Sequence, residues 1–282
     1  MSLRPTDVPD ISWLGTPIDA RPLFGPEQAS LLGTLRALRR DDWSREAVPG
    51  WTVHDLAAHI LGDHQGRLGR SAARHQTFRR AGETLEAFIH RGNQEWVDLH
   101  AEHSPADLIE ALESAGAQVA RRFEAMDLYA PGLAVSWAGA DPAPAWLDIA
   151  REFTEYWTHR QHIRHATGLG TDRRPGALSM VLDTFLRALP HTLRHTPAPA
   201  GTQLRVLVDE PALAWTVTAT TDRWSLAEAS AGRPAVAVEL DAETAWRLCT
   251  RGIDPDTALA RARIRGERRF AEAVCQIVSI VH

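Results

Sequence analysis

Thr196-Pro197-Ala198-Pro199-Ala200-Gly201 separates two kinds of periodicity, and the fold class follows from that change. Beyond it, Leu204-Arg205-Val206-Leu207-Val208 is β-branched-rich and strand-like. Ala214-Trp215-Thr216-Val217-Thr218 and Ala235-Val236-Ala237-Val238-Glu239-Leu240 read the same way, with a period of two. Asp241 is placed to cap a helix through Leu248, and Phe270 to Val281 reads as a last helix. Before the Pro-rich segment the period is helical. Leu31, Leu32, Leu35 and Leu38 share a face after Pro26-Glu27. Thr52 with Asp55 three residues on resembles a capping box, and the apolar pattern of Val53, Leu56, Ala57, Ile60 and Leu61 runs on towards His75. Further helices are expected at 85–101 and 104–126, the second opened by Ser104-Pro105. A helix over 144–167 should close at Gly168, and another should span 177–194. The expected fold class is α+β: an N-terminal arm over 1–25 on the surface or across a cleft, a helix bundle over 26–196, and a small α+β domain over 197–282.

Composition narrows the functional classes. Of the 282 residues 44% are hydrophobic, enough for a sizeable core. The net charge of −5 argues against a nucleic-acid partner, which would need a basic face. All 31 cationic side chains are arginine, a coding bias that speaks of the source rather than the mechanism. Two cysteines, Cys249 and Cys275, are too few for a disulfide scaffold and give little support to thiolate ligands or a thiol nucleophile. No basic-then-apolar leader and no bilayer-length apolar run is visible, so no membrane partner and a cytoplasmic location are the default expectations.

Two of the groupings among the 13 histidines stand out. In Glu152-Phe153-Thr154-Glu155-Tyr156-Trp157-Thr158-His159-Arg160-Gln161-His162, Glu155 and His159 are four apart and His162 follows three later, all on one helix face. Trp146, Ile149, Phe153 and Trp157 occupy the other side, ready to pack. A carboxylate and an imidazole beside such aromatics call for a partner, and a divalent metal is one. Imidazole with carboxylate suits Zn, Fe, Ni or Mn alike. His59 lies at the edge of its own helix's apolar face and can supply a third ligand across a bundle. Asp63, four residues further on, is placed to orient His59 or simply to be solvated. Glu155-His159 also reads as an ordinary i,i+4 surface pair and His59 as a satisfied helix-edge histidine, while His54, His64, His75 and His165 fall off the inward faces and read as surface residues. His162 is open between fourth ligand, proton shuttle and a hydrogen-bonding neighbour of the ligands.

The segment Val48-Pro49-Gly50-Trp51-Thr52-Val53-His54-Asp55-Leu56-Ala57-Ala58-His59 resembles the signature of the mycothiol-dependent maleylpyruvate isomerase family, within the DinB-like metal-binding four-helix bundles. Glu155, His159 and the closing Ala166-Thr167-Gly168 resemble its second motif, and the stretches around Trp137–Glu152 and Asn93–Val97 with Ser104-Pro105 fit as well. The likeness spans roughly 25–170 and continues more weakly as a sterol-carrier-like C-terminal domain. It implies a metal site of His59, Glu155 and His159, zinc foremost, that activates the thiol of mycothiol. It also implies an actinobacterial type of host. Where many members have aspartate three after the second histidine, this chain has His162. The family's C-terminal domain supplies an arginine to the active site, and Arg251 in Cys249-Thr250-Arg251-Gly252 is the nearest match.

The expectation is therefore a metal- and thiol-dependent enzyme that isomerises or S-conjugates a small electrophile, as a monomer or dimer. The alternative is a non-catalytic protein that binds metal or a small apolar ligand.

Overall fold

The structure, a computed structural model, describes residues 10–69, 79–226 and 232–280. Two compact units form, each drawn from more than one stretch of chain. One comprises Met1–Asp19, Leu128–Arg151 and Arg174–Val281; the other comprises Ala20–Asp127 and Glu152–Arg173.

The second unit is helical. It contains α1 (Phe24–Arg36), α2 (Val53–Arg67), α3 (Leu85–Leu99), α4 (Pro105–Glu124) and, from Glu152 on, most of α5 (Ala145–Ala166). Helix α2 packs on α3 and α4, and α1 on α4. The start signals operate as expected. Thr52 caps α2 and Ser104 caps α4, each exchanging bonds with the aspartate three residues on in a full capping box. Gly168, with φ of +79°, ends α5: Gly168 N–H donates to His165 O and Leu169 N–H to Arg164 O, the paired bonds of a Schellman motif. Gly62 lets α3 approach α2, since a Cβ there would sit 2.9 Å from the Trp96 indole. Trp96 Nε1 then donates to Ala58 O at 2.8 Å. Ahead of α2, Pro49-Gly50 forms the turn of a small hairpin, β1 (Glu46–Val48) with β2 (Trp51–Thr52), where the sequence suggests only the end of a helix.

The first unit holds a five-stranded sheet, β3 (Gln203–Val208), β4 (Leu213–Ala219), β5 (Trp224–Leu226), β6 (Val236–Leu240) and β7 (Arg263–Gly266), in the order β5-β4-β3-β6-β7. Only β3 and β6 pair in parallel. Leu204, Val206, Val217, Val236 and Val238 line its buried face. The expected helix over 177–194 is two, α6 (Pro175–Leu186) and α7 (Leu189–Thr192). Pro190 cannot donate a helical bond, and the chain tightens to three-residue bonds at Arg187 and Ala188. Both helices sit with the sheet: Trp215 Nε1 on β4 donates to Asp183 of α6 at 2.7 Å, and α7 packs on β5. The periodicity change at the Pro-rich segment thus marks a change of secondary structure, while the compact units divide elsewhere. After α8 (Ala242–Cys249), capped by Asp241, come α9 (Pro255–Arg261) and α10 (Arg268–Val274). Helix α10 stops short of the expected end because the chain turns to let Ser279 N–H donate to Cys249 O; Val281 lies outside the described residues. The described part of the arm is anchored at Leu14. Leu14 is fully buried, and its carbonyl accepts from Arg187 Nη1 at 2.6 Å.

No helix among the described residues is long and apolar enough to cross a membrane.

Candidate metal centre

Two helices set the site. On α2, the buried Val53, Leu56, Ala57 and Ile60 fix the helix rotation and leave His59 at the edge of that face, 7% exposed. On α5, Phe153, Trp157 and Ile163 are fully buried and aim Glu155 and His159 to the flank. Three contacts define the register between them. The His59 and His159 rings meet edge-on with centroids 4.8 Å apart, His64 meets Tyr156 at 4.5 Å, and Arg67 Nη2 donates to Glu152 Oε2 at 2.6 Å. As the number rises along α2 it falls along α5, so the helices run antiparallel here.

Each helix brings an imidazole with a carboxylate one turn away. His59 Nε2 is 3.5 Å from Asp63 Oδ2, and His159 Nε2 is 3.4 Å from Glu155 Oε2. Among the described residues, the potential metal-holding group is His59, Asp63 and His159, with one donor atom from each lying within 4.8 Å of the others. Trp51, on β2, tilts against His59 at 5.0 Å and is tethered by Nε1 to Gln94 Oε1 at 2.8 Å.

Burial controls the protonation. Desolvation, helped by the neighbouring His159 and opposed by Glu155, lowers the His59 pKa to about 3. Desolvation likewise lowers His64 to about 4, against the pull of Glu152. Tyr156 is pushed well up by burial and by the charges of Glu152 and Asp63, and its hydroxyl donates to Glu152 Oε1 at 2.8 Å. His59 is therefore neutral at ordinary pH, the form in which imidazole binds metal. The Nδ1 atoms of His64 and His159 are buried without a hydrogen-bond partner. A donor set of imidazoles and carboxylates, with His59 held neutral and the Nδ1 of His159 without another partner, fits a divalent cation.

The remaining expected residues divide. His162 lies beside His159, ring centroids 5.7 Å apart, and outside the convergent trio. Arg251 is an exposed residue in the turn after α8, with a left-handed φ of 60°, and belongs to the sheet-bearing unit. His64 is 1% exposed and not a surface residue: it continues the Ala57, Ile60, Leu61 face by one further turn, a signal present in the spacing. His54 is half-buried, with Nε2 2.8 Å from His103 O. His75 lies outside the described residues. The buried chain Arg67–Glu152–Tyr156 next to His64 was not foreseen.

Residues 24–164 match the family described as the mycothiol maleylpyruvate isomerase N-terminal domain. The chain belongs to that family. The mycothiol maleylpyruvate isomerase N-terminal domain match spans α1 to all but the last turn of α5 and so includes His59, Asp63, Glu155 and His159. Two crystal structures are similar to this chain, one of the mycothiol-dependent maleylpyruvate isomerase and one of a point mutant of it. Each is 17% identical and covers 86% of this chain and 89% of its own, with TM-scores of 0.44 and 0.47 respectively. No curated protein matches the chain in sequence.

Proposed function

We propose that this chain is a divalent-metal-dependent enzyme that uses a low-molecular-weight thiol, mycothiol, to isomerise or S-conjugate a small electrophile. The observation that carries the reading is the meeting of His59 and His159 from two helices beside carboxylates. In this reading His59, Glu155 and His159 hold the ion, with zinc, nickel, iron or manganese all compatible with the donors. When bound, the ion supplies Lewis acidity that keeps a coordinated thiol deprotonated near neutral pH. The chain's own residues do the rest. Burial keeps His59 neutral, so no proton has to be displaced from it at pH 7. The Trp51 indole covers one flank of His59. Phe153 and Trp157, fully buried, anchor the stretch of α5 that carries Glu155 and His159. In this reading His162, whose ring lies 5.7 Å from that of His159, hydrogen-bonds a group held at the centre. Arg251 remains a candidate for substrate contact through the family likeness alone.

The test is turnover of small electrophiles, maleylpyruvate among them, by metal-loaded protein with and without mycothiol. The reading expects thiol-dependent consumption that His159→Ala abolishes and His162→Asn reduces without loss of metal. Consumption that ignores the thiol, or that survives His159→Ala, contradicts it.

A further inference from the structure

We propose that Arg67 and Glu152 are positioning residues for the metal centre: their buried ion pair locks the register between α2 and α5 in which His59 meets His159. The inference rests on the metal reading above and adds residues that donate nothing to the ion. On each helix the pair lies about two turns from the histidine. Arg67 follows His59 by eight residues and Glu152 precedes His159 by seven, so the tie sits about 10–12 Å along the axis from the ring contact. Arg67 Nη2 donates to Glu152 Oε2 at 2.6 Å, with the two side chains 12% and 5% exposed. The other Glu152 oxygen accepts from the Tyr156 hydroxyl at 2.8 Å, one turn nearer the site. Aromatic side chains hold the tie from the other helices. The Arg67 guanidinium lies over Phe123 of α4 at 5.8 Å, and Tyr156 meets Phe24 of α1 edge-on at 5.9 Å.

Contacts between apolar side chains are non-directional and change little when one helix slides slightly on another. A buried ion pair is different. A slide that parts Arg67 from Glu152 strands two charges in a poorly solvated place, and a slide is resisted for that reason. Fixing register is the best-attested use of buried polar groups, which add little net stability over apolar residues of the same size. A metal site divided between two helices depends on that register, because its donor atoms have to be held within about 0.5 Å of the productive geometry. The buried Leu56 and Ile60 set the rotation of α2, and Phe153 and Ile163 that of α5. The ion pair sets the remaining freedom, sliding along the axis.

The test separates register from stability. Arg67→Met, Glu152→Leu and Tyr156→Phe together replace the tie by apolar residues of similar size and strand none of its partners. The metal-free triple variant is expected to melt at or above the wild-type temperature. It is nevertheless expected to bind Co(II) at least about tenfold more weakly, with shifted visible bands. Wild-type affinity and bands in the folded triple variant would overturn the proposal, as would weaker binding that only parallels a lowered melting temperature. If the triple variant does not fold, unchanged affinity and bands in folded Glu152→Gln overturn it instead. His159→Ala is the control for the site itself. Loss of Co(II) there, with wild-type behaviour in the tie variants, rejects the positioning role and leaves the metal reading standing. Failure of wild-type protein to bind Co(II) at all would overturn the metal reading, and this inference with it.

Discussion

Adjacent residues of α5 serve two polar clusters of opposite character. Arg160, 1% exposed, is satisfied inside the protein: Nη2 donates to Glu27 Oε2 at 3.0 Å, Nη1 to Asp172 Oδ2 at 2.9 Å, and Nε also reaches Glu27. Asp172 is fixed in turn by its N–H donating to Gln161 Oε1 at 2.8 Å. One position earlier, His159 meets His59 of α2, with Glu155 and Asp63 each one turn from an imidazole. The Arg160 cluster carries its cation in the sequence, and in the reading proposed above the His159 cluster takes a divalent ion from solution. A buried ion pair whose members satisfy one another, as Arg160 and Glu27 do, is architecture rather than a ligand site.

The largest effect should come from breaking the self-contained cluster. Arg160→Met leaves the Glu27 carboxylate buried without its guanidinium, and about 3–5 kcal/mol of stability should be lost in urea denaturation. His159→Ala in metal-free protein should cost clearly less while abolishing tight metal binding. If the two substitutions cost the same in the absence of metal, the contrast between the clusters is wrong.

A second expectation concerns acid. His64 has a folded pKa near 4 against an ordinary 6.5, so between those values the unfolded chain binds more protons than the folded one. The His64 contribution to the stability of the metal-free protein should be intact above about pH 6.5, fall as pH drops through that window, and level off below about 4. His64 alone accounts for up to about 3 kcal/mol of that fall. His59 acts in the same direction down to about pH 3. His64→Leu should flatten the dependence measured by urea denaturation at pH 7 and pH 5. An equally steep dependence in that variant would mean that His64 is not held neutral.

The smallest effect separates helix formation from site formation. Thr52→Ala removes the α2 cap and should cost about 1 kcal/mol, with metal affinity unchanged because the buried face, not the cap, orients His59. A large loss of metal affinity in that variant would show that the start of α2 governs the site.

Much of this is legible in the sequence. Capping boxes and a helix-ending glycine are local signals, and Thr52, Ser104 and Gly168 act within four residues of themselves. The α+β class was readable because periods of 3.6 and 2 differ over short windows. Strands β5 and β7 were not, being three and four residues long and stabilised by their sheet neighbours rather than by a pattern of their own. The assignment of α6 and α7 to the sheet-bearing unit depends on long-range contacts such as Trp215 with Asp183, which no window reveals. At the site, the spacing Glu155-x-x-x-His159 was visible in one helix and His59-x-x-x-Asp63 in another. What sequence could not supply was the antiparallel register that brings His59 to His159, or the burial that turns His64 from a surface residue into a core one.

The central claim is that the α2–α5 cluster is a metal centre, and the most direct measurement is elemental analysis of tag-free protein purified without chelator. The account predicts about one equivalent of a divalent transition metal per chain in wild-type protein and in the folded fraction of Arg160→Met. It predicts near none in folded His59→Ala and His159→Ala. Metal-free wild-type protein that also fails to take up added zinc, iron, nickel or manganese, or full metal content in both histidine variants, would contradict it.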